Sequence, residues 1–78
     1  MNLHLQPVQV ATGCQDREGR LVFDEGLLLA ILVRLSDMHG DDAGRWCLEI
    51  GFGPLSGLQP PPFIDLDAAQ AWIADRLA

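Results

Sequence analysis

Two apolar segments on either side of an acidic loop constrain this chain more than any other feature. Residues 27–33 form an unbroken run, Leu-Leu-Leu-Ala-Ile-Leu-Val. The stretch from Arg45 to Gly53 alternates strictly, with Trp46, Leu48, Ile50 and Phe52 on one side and Arg45, Cys47, Glu49, Gly51 and Gly53 on the other. Period-2 alternation is the signature of a half-buried strand, because successive side chains of a strand leave opposite faces. An antiparallel hairpin across the loop Asp37–Gly44 sets Leu35 against Trp46, Val33 against Leu48, Ile31 against Ile50 and Leu29 against Phe52. One face of that hairpin is then wholly apolar. A helix from Asp24 to Met38, capped by Asp24 and ended at Gly40, competes for the first segment. Gly26 would fall in its first turn, and Leu29, Ile31, Val33 and Leu35 match the later alternation without adjustment. The strand reading, Leu27 to Ser36 paired with Arg45 to Phe52, is therefore preferred.

The rest of the chain supplies partners for this hairpin. Leu3 to Thr12 reads as a first strand whose apolar parity changes at Pro7, which suggests an edge strand with a bulge or kink. Gly13 to Gly19 is a polar, glycine-bounded turn, and Arg20 to Phe23 is a short second strand. Asp24-Glu25-Gly26 suits a three-residue turn closed by a left-handed glycine bulge. Gly53 to Pro62 is too rich in glycine and proline for regular structure and reads as a stiff connector. The helix is clearest at the end: Asp65 as N-cap, Asp67 in the first turn, Arg76 in the last, and a stripe through Leu66, Ala69, Trp72 or Ile73, and Arg76 or Leu77. Phe63 and Ile64 would clamp its start. Trp46 and Trp72 are placed where they could touch between sheet and helix. The expected fold is α+β, a three- to four-stranded antiparallel meander with one C-terminal helix packed on one face, in a single small domain over residues 1–78.

Charge narrows the function. There is no lysine; five arginines face eleven carboxylates, for a net charge of −6 and a pI near 4.4. Such a chain repels phosphate backbones, so nucleic acid is excluded as a partner. Its longest apolar run is well short of the roughly 20 residues that span a bilayer, and Met1 to His4 lacks the basic start of a secretory signal. A cytoplasmic protein without a membrane partner is expected. Cys14 and Cys47 are far apart and outside any C-x-x-C motif, so both are read as free thiols.

No constellation of residues names a reaction. Asp37-Met38-His39-Gly40-Asp41-Asp42 resembles a metal loop, but the calcium pattern started at Asp37 needs glycine and glutamate where the chain has Asp42 and Leu48. An acidic hairpin loop turned by Gly40 and Gly44 explains it more simply. Cys47, with Glu49 along its face and Arg34 opposite in the register above, is the one thiol whose surroundings could activate it, and no histidine is required nearby. Gly51-Phe52-Gly53 lacks the third glycine and the following helix of a dinucleotide site, and no cofactor is implied. The remaining feature is the second face of the sheet, which in this register presents Val22, Leu28, Ala30 and Leu32, rimmed by Arg20, Arg34 and Glu49. One helix cannot cover both faces, so that patch is either roofed by Gly53 to Pro62 or left for a partner. The reading that follows is a non-catalytic protein-interaction domain, self-associating as a homodimer or binding another protein through Val22, Leu28, Ala30, Leu32, Arg34 and Glu49. The alternative is a small-ligand or metal-binding accessory protein using the acidic loop 37–42.

Overall fold

The computed structural model describes residues 3–77. Four strands, β1 (Leu3–Gln9), β2 (Glu18–Asp24), β3 (Leu27–Arg34) and β4 (Trp46–Gly51), form one antiparallel sheet in the order β1-β2-β3-β4, and a single helix, α1 (Leu66–Leu77), follows. This is the expected α+β meander, with residues 27–34 extended rather than helical. Two short 3-10 segments, Asp37–Asp42 and Gly53–Leu55, occupy the long connections.

β1 is an edge strand, and it pairs with β2 without interruption from Leu3 opposite Asp24 to Gln9 opposite Glu18. The bulge expected at Pro7 is absent. Val10 donates to the Arg17 carbonyl, so even-numbered residues of β1 bond inward and Pro7, on the odd phase, turns its missing N–H to the free edge, where it costs no ladder bond. The β2–β3 turn also differs from expectation. Asp24 pairs with Leu27, leaving a two-residue loop in which both Glu25 (φ 52°) and Gly26 (φ 82°) are left-handed. That is the type I′ geometry whose twist matches the flanking strands. The register irregularity lies instead between Val22 and Phe23, which pair with Ala30 and Leu28, so that Leu29 is the extra residue.

A second irregularity decides which face is covered. Ile31 pairs with Ile50 as expected, and the Phe52 N–H bonds to the Leu29 carbonyl. Beyond Ile31, however, Leu32 pairs with Leu48, Val33 with Cys47 and Arg34 with Trp46. Glu49 is the extra residue of a bulge on β4. The strict alternation of Arg45 to Gly53 hides it, and the expected pairs Leu35–Trp46 and Val33–Leu48 are not formed.

By this register Val22, Ala30, Leu32, Leu48 and Trp46 share one face, and α1 lies on it. These five residues form the buried core with Leu55, Ala69 and Ile73, and Leu3, Leu5, Leu29, Phe63, Leu66, Trp72 and Leu77 pack around them. The Asp65 side chain accepts a hydrogen bond from the Ala68 N–H at 2.8 Å, the expected N-cap. Phe63 packs on Trp72 at 5.6 Å between ring centroids, while Ile64 is exposed and takes no part in clamping the helix. Arg76 lies over Trp72 and Arg20 over Trp46, at 4.6 and 5.0 Å from the ring centroids. The connector after β4 contributes to the same side: Leu55 is fully buried and sits directly on Gly51, where a Cβ would fall 2.4 Å from the Leu55 carbonyl oxygen.

Two substitutions check this arrangement. Gly51→Ala forces the sheet and the Leu55 backbone apart and is expected to lower the unfolding free energy by about 1–3 kcal/mol, measured by denaturant titration. Glu25→Asn relieves part of the roughly 1–2 kcal/mol that a left-handed conformation costs an ordinary residue, and is expected to stabilise by about 0.5–1 kcal/mol in the same assay.

Candidate functional site

The face turned away from α1 carries Leu21, Phe23, Leu28, Ile31, Val33, Cys47 and Ile50, by strand alternation and the register. On β2, β3 and β4 it is apolar and unevenly covered, while β1 sets the exposed polar side chains of His4 and Gln6 beside Phe23 and Leu21. At the end near β3's C-terminus, Val33 is buried and Val10 folds over Gly19, the residue paired with Val33, so closely that a Cβ there would lie 2.6 Å from the Val10 methyl. At the other end, Leu21, Phe23, Leu28 and Ile31 are only half-buried, Ile50 is 45% exposed and Leu27 at the turn is 70% exposed.

This corrects part of the assignment of faces made from sequence: Trp46 and Leu48 lie on the helix side and Leu28 on the open side as expected, but Val22, Ala30 and Leu32 do not. Val22, Ala30 and Leu32, expected on the partner-binding surface, are each 0% exposed beneath the helix. A residue buried there has no surface to offer, and a charge introduced at Leu32 would sit in the core instead of leaving the fold intact. The one-residue shift at Glu49 is the reason, since it moves the whole second half of β4 to the other phase. Leu28 stands on the open face opposite Phe23, Glu49 is exposed, and Arg34 is exposed but pairs with Trp46. The connector 53–62 roofs the helix side through Leu55, not the open side.

The covered end is closed by a polar clasp that sequence reasoning missed. Asp16, in the loop between β1 and β2, is 9% exposed. Its Oδ1 accepts the Ser36 N–H at 2.7 Å and its Oδ2 the His39 Nε2–H at 2.5 Å, while Thr12 Oγ1 donates to the Asp16 carbonyl. Hydrogen bonding from Ser36, then from His39 with its charge, outweighs burial and holds the Asp16 carboxyl at a pKa of about 2. His39 thus leaves the acidic loop to pair with a residue 23 positions away. Nothing local in either segment announces the pairing; only the sheet brings Asp16 beside the residues that follow β3.

The other chemical candidates separate in space. Cys47 pairs with Val33, so Arg34 is not opposite its thiol. Burial, then the Glu49 and Asp16 carboxylates, push that thiol up in pKa, the opposite of what a nucleophile needs. Cys14 and Cys47 are both free. Among the described residues no three His, Cys, Asp or Glu side chains converge as metal ligands, and no helix is long and apolar enough to cross a membrane. Compared with known proteins, the chain matches no family model, no curated protein and no solved structure.

Because the Asp16 pKa is lower folded than in a free chain, whose carboxyl titrates near 3.8, the clasp contributes its full stability above about pH 4 and loses it as pH falls toward 2. Asp16→Asn is expected to lower the melting temperature at pH 7 and to flatten the loss of stability between pH 4 and 2, followed by circular dichroism across that range. An acid limb identical to that of the parent chain would contradict the assignment.

Proposed function

We propose that this chain is a non-catalytic protein-interaction domain that self-associates through the face of the sheet opposite α1. The observation that carries the reading is the open apolar patch of Leu21, Phe23, Leu28, Ile31 and Ile50, in a chain whose other sheet face is filled. Contiguous apolar surface on a small domain is costly to leave wet and marks a contact site more often than chance. Removing a few hundred Å² from water returns several kcal/mol at about 25 cal/mol per Å², offset by the cost of association. That sum fits a weak dimer with a Kd of roughly micromolar to millimolar, below the about 800 Å² per partner of standard stable interfaces. The rim is acidic, with Glu25 and Glu49 exposed beside the patch and a net charge of −6 per chain. Two copies therefore meet through apolar contact against like-charge repulsion, and added salt strengthens their association.

Sedimentation equilibrium from low micromolar to millimolar concentration, at 50 and 500 mM salt, tests this. The parent chain is expected to dimerise more tightly at the higher salt. Leu28→Glu and Leu28→Lys are both expected to remain monomeric with folded circular dichroism spectra, since either charge disrupts an apolar contact. A parent chain that stays monomeric to millimolar concentration at both salts would refute self-association.

A further inference from the structure

The outer edge of β4 is open, and the reason lies in three consecutive prolines. Trp46 exchanges both main-chain hydrogen bonds with Phe63, at 2.8 and 2.7 Å, an antiparallel bridge that begins a fifth strand. In an antiparallel ladder the next outward-facing residue of β4 is Leu48, and the residue set against it would be Pro61. Proline has no N–H to give the Leu48 carbonyl, and Pro60-Pro61-Pro62 turns the connector away after a single pair. What results is a groove of about 470 Å³ with one wall formed by β4 from Cys47 to Gly51 and the other by residues 56–60. Leu48 turns its N–H and carbonyl into this groove, and past the Glu49 bulge the outward positions resume at Gly51.

Glu49 supplies the charge at this edge. It is exposed, it makes no ion pair among the described residues, and it stands beside Cys47 on the face opposite α1. We propose that this edge binds an extended peptide as an added strand, antiparallel to β4, with a small apolar side chain opposite Leu48 and a lysine or arginine next to it. A residue paired with Leu48 projects to the Leu48 side of the sheet, against Leu58 and Pro60 of the far wall. Its neighbour in the guest projects to the other side, where Glu49 offers its carboxylate. The bulge interrupts the ladder after the first pair, so the match is short and the complex weak. The inference goes beyond self-association: it concerns the strand edge, and its electrostatics have the opposite sign, because salt weakens attraction between Glu49 and a cationic guest.

The test uses the full chain and a fluorescein-labelled hexapeptide of alternating valine and lysine, followed by anisotropy in the monomeric Leu28→Glu background so that dimerisation does not enter. Saturable binding that weakens severalfold from 50 to 500 mM salt is expected. N-methylation of the valines, whose N–H groups face Leu48, is expected to abolish it, whereas N-methylation of the lysines, which face away, is expected to preserve it. Glu49→Lys is expected to weaken binding at least tenfold, with the melting temperature measured to confirm folding. Pro61→Thr restores an N–H opposite Leu48, and the chain's own segment is then expected to compete with the peptide and weaken binding severalfold. Absence of binding up to millimolar protein, binding unaffected by N-methylated valine, or equal affinity for a valine–glutamate hexapeptide would each overturn the proposal. The Leu28 variants decide self-association separately, so failure of one reading leaves the other standing.

Discussion

The packing of this domain depends on two small residues set side by side. Ala30 and Gly51 are the cross-strand pair at the C-terminal end of β4 on the helix-facing side of the sheet, and together they make a shallow trough in a surface otherwise built from valine, leucine and tryptophan. Leu55 sits on Gly51, close enough that no β-carbon fits between them, and joins Ala69 and Ile73 of the helix in the core. Interiors pack at crystal-like density, so a larger residue at either position would lift the connector off the sheet and leave a void beside it. The choice of face follows. The helix and the connector close over the side that has room for them, and the side carrying Leu21, Phe23, Leu28, Ile31 and Ile50 is left without a roof.

The elements themselves were legible because each has a local cause. The alternation at Trp46, Leu48 and Ile50 is that of a strand, Asp65 is a side chain suited to the cap it makes, and Gly26 sits where the turn needs a left-handed residue. Phase was not legible. Residues 27–33 are apolar at every position, so alternation along β3 says nothing about which of its faces is buried, and the decision passes to its neighbours. On β4 the neighbour misleads: a bulge at Glu49 leaves the written alternation intact while moving one half of the strand to the other phase. The smallness of Ala30 and Gly51 was the available clue, and it has meaning only once the two are known to be paired. The Asp16–His39 contact was illegible for a related reason, because its partners come from loops that only the completed sheet places together.

The two edges of the sheet are protected differently. On β1, Pro7 faces outward within an otherwise regular edge, removing one donor from the row that another strand could use. On β4 the chain covers Trp46 with Phe63 and then withdraws, leaving irregularity at Glu49 and the charge of its side chain as the remaining deterrents. An acidic chain without lysine adds a general repulsion between copies at low salt. An open apolar face beside an imperfectly guarded edge is tolerable under those conditions.

The Asp16 clasp explains why the open patch has a boundary. It adds to the cover that Val10 gives Gly19, the residue paired with the buried Val33. The carboxylate reaches the Ser36 N–H and the His39 imidazole at once, tying both loops over that end of the sheet. Cys47 is half-buried at this end, and burial and two nearby carboxylates push its thiol up in pKa. One polar contact thus divides an apolar sheet face into a closed part, chemically quiet, and an open part that ends on Ile50 at the rim of the β4 groove. The face and the edge are therefore adjacent surfaces that meet along β4 at Cys47, Glu49 and Ile50, and a change at Ile50 would be felt by both.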